Sequence, residues 1–505
     1  MRSLVRPLAL LAPLVLAAPA AALTFRAVEP FSVKGAYDLI IVPEPWNGGL
    51  FIYAHGYTAD QRSIVPYPRD ITPANIGTKL TGGDQVLQIP LNLGYAAATT
   101  TYRSVGWAVE DAVDDIENIR RHFVERYGTP THAYIWGHSE GGMVTEAVLE
   151  LASPAYEGAL PFCAPGAGAR RNFNGAFDLR AVYEYVCRDV SEARFVCHVC
   201  SGGTARCLED ADCPPGEACG AAEPAPAPAD GLTRGCTDFV LGTPDAVNEQ
   251  PKYGDLVARA VTACFGGAAP TPEQSARKDL FLRVTQLPES FVGTDLFFAS
   301  VGLAEVVHRR THEHHPWGNL GVDYAAPALT PGEQLALNRG VPRASADAAG
   351  VNYMQRFFEP RGRTAAKVLT LHALDDGLVI PENDEKYREA FVASGRPEQL
   401  VQLFTATGGH CGFSGAEHLA AFFALTRWVE EGVEPTAAAV QATCTALKPF
   451  AGGGPCRVMA AAPGEWGLRV IERRERGAPL HELVCVGDPA DCPSGSTCSP
   501  RHYCR

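Results

Sequence analysis

Ser139 stands in "GHSEGG" (Gly137–Gly142), directly after the strand-like run "AYIW". A serine hydroxyl is a poor nucleophile until a positioned base takes its proton. Two distant segments offer what such a serine needs. "LHALDDGLVIP" places Asp375 and Asp376 just after one strand-like run, and "GGHCGF" places His410 after the next. An imidazole can accept the serine proton near neutral pH, and a carboxylate can fix the ring's tautomer and stabilise its charged form. Each group alone is ordinary: a Gly-rich connection, a turn aspartate, a structural histidine. Their order, Ser then Asp then His at three strand ends, is the one expected around a G-x-S-x-G corner. Asp376, at the turn before Gly377, is the expected acid, with Asp375 the alternative.

Acyl transfer through such a set also needs donors for the negative oxygen of the tetrahedral intermediate. "YAHGYT" ends a strand early in the chain. The backbone N–H groups of Tyr57 and Glu140 are the expected oxyanion donors, although a His-Gly pair also suits a plain strand end. Two other stretches could carry chemistry. "HRRTHEHH" holds His308, His312, His314 and His315. His308 and His312 are four apart, as metal ligands on one helix face are, but the H-E-x-x-H arrangement is missing, so a solvated helix end is the simpler reading. "SFVGTDLFFASVGL" is apolar enough to line an acyl pocket through Phe297 or Phe298, or simply to be buried.

The elements that must position these groups alternate. "YDLIIVP", "GLFIYAHG", "GYAAATTTY", "HAYIWG" and "EGALPFC" read as strands. Trp107 to Tyr127 and Gly142 to Leu151 have helical spacing. This alternation implies an α/β fold, a largely parallel sheet covered by helices. The pattern breaks after Cys163 and resumes at "AKVLTLHA" and "QLVQLFTATGG", followed by an amphipathic helix over Ala416 to Glu431. The gap is too long for a loop and reads as an inserted domain. Within it, "TPEQ" and "TPGE" each offer a Thr cap with Pro at the first helical position.

By these motifs the chain resembles the secreted serine hydrolases of the α/β-hydrolase superfamily. "YAHGY", "GYAAATTTYRSVGW", "GHSEGG", "GALPFC", "LHALDDGLVIP" and "GGHCGF" carry the resemblance, over residues 36–165 and 366–432. It implies cleavage of an ester or amide through a covalent acyl-enzyme, with no metal or organic cofactor. Ser139 would be the nucleophile, His410 the base, Asp376 the acid, and Tyr57 and Glu140 the oxyanion hole. "HC" at His410-Cys411 is also similar to tannases and feruloyl esterases, in which cysteines beside the serine and histidine are bridged. Here His138 precedes the serine, so that bridge is not expected.

The 505 residues are 46% hydrophobic and 20% charged, with a formal charge of −14, which argues against nucleic acid and anionic membranes as partners. Residues 1–22 read as a signal peptide: Arg2 and Arg6, then an apolar stretch too short for a stable span, then "APAAAL". Export and an even sixteen cysteines point to disulfides. "CLEDADCPPGEAC" is repeated as "CVGDPADCPSGSTC", a small disulfide-stapled module; "CHVC" at Cys197 to Cys200 is the zinc alternative. The expected organisation is a first core part over 23–165 and an insert acting as a cap over 166–365, with a cysteine-rich segment at 187–236. A second core part over 366–435 and an extension over 436–505 follow, the latter with a module at 485–504. The expected activity is that of an exported carboxylic-ester hydrolase on a small or polymeric ester, without stable membrane insertion. A peptidase with the same triad, and an inert adhesion protein presenting cysteine modules, are the alternatives. Nothing in the sequence specifies an oligomeric state.

Overall fold

The computed structural model describes residues 24–58 and 87–461, apart from 153–154, 191–192, 194–197, 203–205, 208–212, 222–249, 313, 320–321 and 327. The expected signal segment, the module at 485–504 and Cys197 of the zinc alternative lie outside the described residues.

Nine strands make one mixed sheet in the order β1-β2-β4-β3-β5-β6-β10-β11-β12. They are β1 (Thr24–Val33), β2 (Ala36–Glu44), β3 (Leu50–Ala54), β4 (Ala96–Thr100), β5 (Ala133–His138), β6 (Gly158–Phe162), β10 (Lys367–Ala373), β11 (Leu400–Thr405) and β12 (Val458–Met459). The centre, from β4 through β3, β5, β6 and β10 to β11, is parallel; β1, β2 and β12 pair antiparallel at the edges. Central strands such as "LFIYA" are buried along their whole length, as expected of a sheet covered on both faces. Alternate residues serve opposite cores. Ile40, Val42 and Ile52 pack on one face with Ile116, Val144 and Val148. Leu39, Ile41 and Phe51 pack on the other with Phe422 and Leu425.

β1 was not expected from the sequence, because "TFRAVEPFSV" alternates too irregularly. It forms because Lys34 and Gly35, both with positive φ (51° and 96°), make a two-residue hairpin turn onto β2. β12 is equally short on pattern and is held beside β11 by the Cys444–Cys456 disulfide of the preceding helix Ala437–Leu447.

Between Phe162 and Lys367 the chain leaves the sheet. The helices Ala169–Val186, Gln250–Phe265 and Pro272–Thr285 follow, then an unbroken helical run Val292–Phe297, Phe298–Gly302, Leu303–Glu305, Val306–Arg310 containing two π-type turns. Pro331–Gly340 and Ala348–Arg356 complete the segment. Thr271 and Thr330 both form the expected capping boxes, with Gln274 and Glu333. A three-stranded antiparallel sheet, β7 (His198–Cys200), β8 (Arg206–Cys207) and β9 (Cys219–Ala221), has the order β8-β7-β9. The disulfide Cys187–Cys264 ties the first two long helices together. Buried residues of this segment, among them Phe177, Phe281 and Leu296, are continuous with the core above the sheet. Among the described residues no helix is long and apolar enough to cross a membrane.

Candidate active site

Ser139 occupies the turn between β5 and the helix Glu140–Leu151 with φ 58° and ψ −125°. A non-glycine residue held there carries roughly 1–3 kcal/mol of backbone strain. The neighbouring glycines let the structure hold it. A Cβ on Gly141 would lie 2.1 Å from the Ala54 carbonyl oxygen and 2.5 Å from that of His55. A Cβ on Gly137 would lie 2.5 Å from the Ala54 oxygen and 2.4 Å from the Gly141 oxygen. Both glycines therefore allow the end of β3 to press against the serine corner. The Ser139 N–H donates to Phe162 O on β6 at 3.0 Å, which ties the corner to the other neighbouring strand.

His410 and Asp376 come to this corner from the ends of β11 and β10. His410 Nε2 is 2.9 Å from Ser139 Oγ, and His410 Nδ1 is 2.8 Å from Asp376 Oδ2. The other Asp376 oxygen accepts from the N–H groups of Leu378 and Val379, both at 3.0 Å. Burial alone would raise the Asp376 carboxyl. Hydrogen bonds from His372 and His410, and their charges, outweigh it and hold the group down at about 2. Asp375 points elsewhere: its Oδ1 accepts from Gly409 N at 2.8 Å and so steadies the loop that carries His410. Of the two aspartates, Asp376 is the one in contact with the imidazole.

The loop after β3 lies against the same serine. A Cβ on Gly56 would be 3.3 Å from Ser139 Cβ and 3.9 Å from Oγ, so Tyr57 follows directly beside the hydroxyl. Glu140 opens the helix, where an N–H has no partner one turn back. Its buried side chain accepts from Ala108 N at 2.5 Å. Burial raises this carboxyl to about 8, against the hydrogen bond from Ala108; Glu305 adds to the rise and Arg310 opposes it. A cavity of about 150 Å³ opens from Ser139, with Trp107, Phe173, Phe298, Val379 and Ile380 on its apolar walls and Asn172, Thr285 and Asp295 as polar points. Phe298 lines this cavity with its ring edge-on to Tyr57 at 5.2 Å. Phe297 faces away, toward Gly254 of the helix Gln250–Phe265.

The strand–turn–helix corner, with Asp and His delivered from the next strand ends of a mixed sheet, decides the fold class. The architecture is an α/β-hydrolase fold. No protein-family model matches the chain, and no curated protein matches it by sequence. Among solved structures it is similar to the rice cell wall degrading esterase LipA from Xanthomonas oryzae, with 12% identity, 78% of this chain and 85% of that chain covered, and a TM-score of 0.36. It is likewise similar to feruloyl esterase B from Aspergillus oryzae, with 12% identity, 82% and 88% coverage, and a TM-score of 0.35. An acylaminoacyl peptidase from Pyrococcus horikoshii shares 10% identity over 78% of this chain and 38% of that one, with a TM-score of 0.34.

Around this α/β-hydrolase corner lie groups that sequence reasoning did not place. Cys411, next to His410, is bridged, but to Cys163 at the end of β6 rather than to a residue beside the serine. Both cysteines stand inside recognised motifs, "GALPFC" and "GGHCGF", which was the available signal. Cys163, His410 and Cys411 are the sole convergent metal-type cluster among the described residues, and its two sulfurs are bonded to each other. His138 stacks on Phe162 and sits in a neutral relay. His418 Nδ1 donates to Ser414 O at 3.0 Å, His138 Nε2 donates to His418 Nε2 at 2.8 Å, and the Tyr53 hydroxyl is 3.4 Å from His138 Nδ1. Burial lowers both imidazoles, in keeping with their neutral state. Of the "HRRTHEHH" histidines, His314 stands 3.9 Å from Asp347 and His315 packs edge-on against Trp317. Further on, Glu305 accepts from Trp107 N at 3.0 Å and from Arg310 Nε at 3.1 Å, and Arg310 reaches Val105 O at 2.7 Å. These bonds fasten the run Val292–Arg310 to the loop after β4.

Proposed function

We propose that this protein is an exported serine hydrolase that cleaves carboxylic esters through an acyl-enzyme. The observation that carries the reading is the contact series Ser139 Oγ to His410 Nε2 at 2.9 Å and His410 Nδ1 to Asp376 at 2.8 Å, on a serine held at φ 58°. In the proposed mechanism Ser139 attacks the acyl carbon while His410 takes its proton. His410 then returns the proton to the leaving alcohol, and water repeats the sequence to release the acid. Asp376 keeps Nδ1 protonated and stabilises the imidazolium. The N–H groups of Tyr57 and Glu140 hold the oxyanion.

The segment between β6 and β10 acts as the cap in this reading, since Phe173, Phe298 and Leu287 from it line the cavity beside Ser139. The mostly apolar lining favours an uncharged acyl group, and esters over amides follow because an amide also needs efficient protonation of a departing nitrogen. Disulfides among the described residues, Cys163–Cys411 above all, accord with export. A panel of p-nitrophenyl esters from acetyl to decanoyl tests this. Wild-type protein should turn them over with a chain-length optimum, Ser139→Ala should abolish turnover, and Phe298→Ala should move the optimum while Phe297→Ala leaves it in place. Inactivity on every ester, with activity on aminoacyl amides, would replace the ester reading by the peptidase one.

A further inference from the structure

Behind Asp376 lies a second histidine that the mechanism above does not use. His372 of β10 is 1% exposed. Its Nε2 is 2.7 Å from the Val379 carbonyl oxygen, which only accepts, so this nitrogen carries a hydrogen. The same nitrogen stands 3.3 Å from Asp376 Oδ2, the oxygen that also receives His410. On the far side, His372 Nδ1 lies in short hydrogen-bond contact with Asp384 Oδ2. The other Asp384 oxygen accepts from Thr370 Oγ1 at 3.0 Å and Gln402 Nε2 at 3.3 Å. Asp384 is thus surrounded by donors, the environment of an ionised carboxylate, and the ring facing it then holds a hydrogen on both nitrogens.

We propose that His372 and Asp384 form a buried imidazolium–carboxylate pair behind Asp376, which makes His372 a positioning residue for the proposed Ser139 site. The inference rests on that reading of the site. The series runs His410, Asp376, His372, Asp384, with charges alternating in sign once His410 is protonated. Other groups facing the pair do not supply the cation. Glu146, from the helix Glu140–Leu151, faces both Asp384 and His372, and burial holds its carboxyl well above the usual range. Tyr387 and Glu150 lie beyond it, and burial raises both. Burial would push the His372 ring toward neutrality; the charges and hydrogen bonds of Asp384 and Asp376 outweigh this and raise it above the ordinary histidine range.

A positive charge beside Asp376 opposes protonation of both Asp376 and His410. Its removal raises the pH at which the reactive pair takes up its first proton, whichever of the two receives it. The test is the pH profile of kcat/KM on p-nitrophenyl butyrate. His372→Gln can still donate a hydrogen bond but carries no charge. It should move the acidic limb up by about one pH unit or more, with the loss in kcat rather than KM, and Asp384→Asn should move it the same way by less. A uniform loss with an unmoved limb would mean that His372 is merely structural and would overturn the proposal. Histidine ¹⁵N NMR of the wild-type protein gives a reading that needs no variant. One buried imidazolium should persist at about pH 8.5, two units above an ordinary histidine; its absence would overturn the proposal. Retained esterase activity in Ser139→Ala would instead sink the serine reading, and the NMR result would stand apart from it.

Discussion

Asp375 and Asp376 are chain neighbours with different partners. Asp376 holds the imidazole of His410, while Asp375 holds the backbone of Gly409. Asp376→Asn should lower kcat by on the order of 10³–10⁴, because an amide can present its N–H to Nδ1 and favour the wrong tautomer. Asp375→Asn keeps an acceptor for Gly409 N and should cost no more than about tenfold. Steady-state kinetics on one ester decides between them, and the reverse ranking would move the acid by one residue. Ser139, His410 and the aspartate pair were legible in the sequence because each follows a strand-like run. Within the pair Asp376 was preferred only for its place at the turn before Gly377, with Asp375 the alternative, since side-chain direction at a turn is not written in the sequence; the contact with His410 is made by Asp376. His372 was hidden for a related reason: in "KVLTLHA" it reads as one more strand residue, and Asp384 reads as an ordinary acid in the first turn of the helix Glu382–Ala393.

At the scale of elements, the serine corner depends on how closely β3 approaches the helix Glu140–Leu151. A methyl group on Gly141 would meet two backbone oxygens of the β3 end, neither of which can rotate away. Gly141→Ala should therefore destabilise the protein by roughly 3–5 kcal/mol or block folding. Gly293, in the helix Val292–Phe297, has no atom within 4 Å of its added Cβ, so Gly293→Ala should be neutral or stabilising by up to about 1 kcal/mol. Urea unfolding of the two variants checks the contrast, and equal stabilities would refute the close-approach account. The central strands were readable because burial on both faces demands unbroken apolar runs. β1 and β12 sit at the edges, where that demand relaxes, and they escaped notice. The Cys163–Cys411 bridge spans 248 residues, and pairing at such a separation is set by where β6 and β11 lie in the sheet, not by spacing.

For the molecule as a whole, the core above the sheet runs unbroken into the segment between β6 and β10, so damage on either side should be felt by both. Stability should also report the buried acids. Asp38, 1% exposed, is raised by burial to about 7 despite the hydrogen bonds of Thr100 and Val33. An unfolded aspartate titrates near 3.9, so between about pH 4 and 7 the folded state holds the extra proton and stability falls as pH rises. Asn at this position cannot ionise. The stability of Asp38→Asn relative to wild type should therefore improve by roughly 2–4 kcal/mol between about pH 4.5 and 8. Urea titrations at the two pH values measure it, and a gap independent of pH would contradict the shift. The central claim, that Ser139 is the activated nucleophile of the intact protein, is tested most directly by a fluorophosphonate probe read by intact mass and peptide mapping. Wild-type protein should take up one probe per chain, on Ser139, and Ser139→Ala none. Labelling at another residue, or none in a folded wild-type protein, would contradict the account.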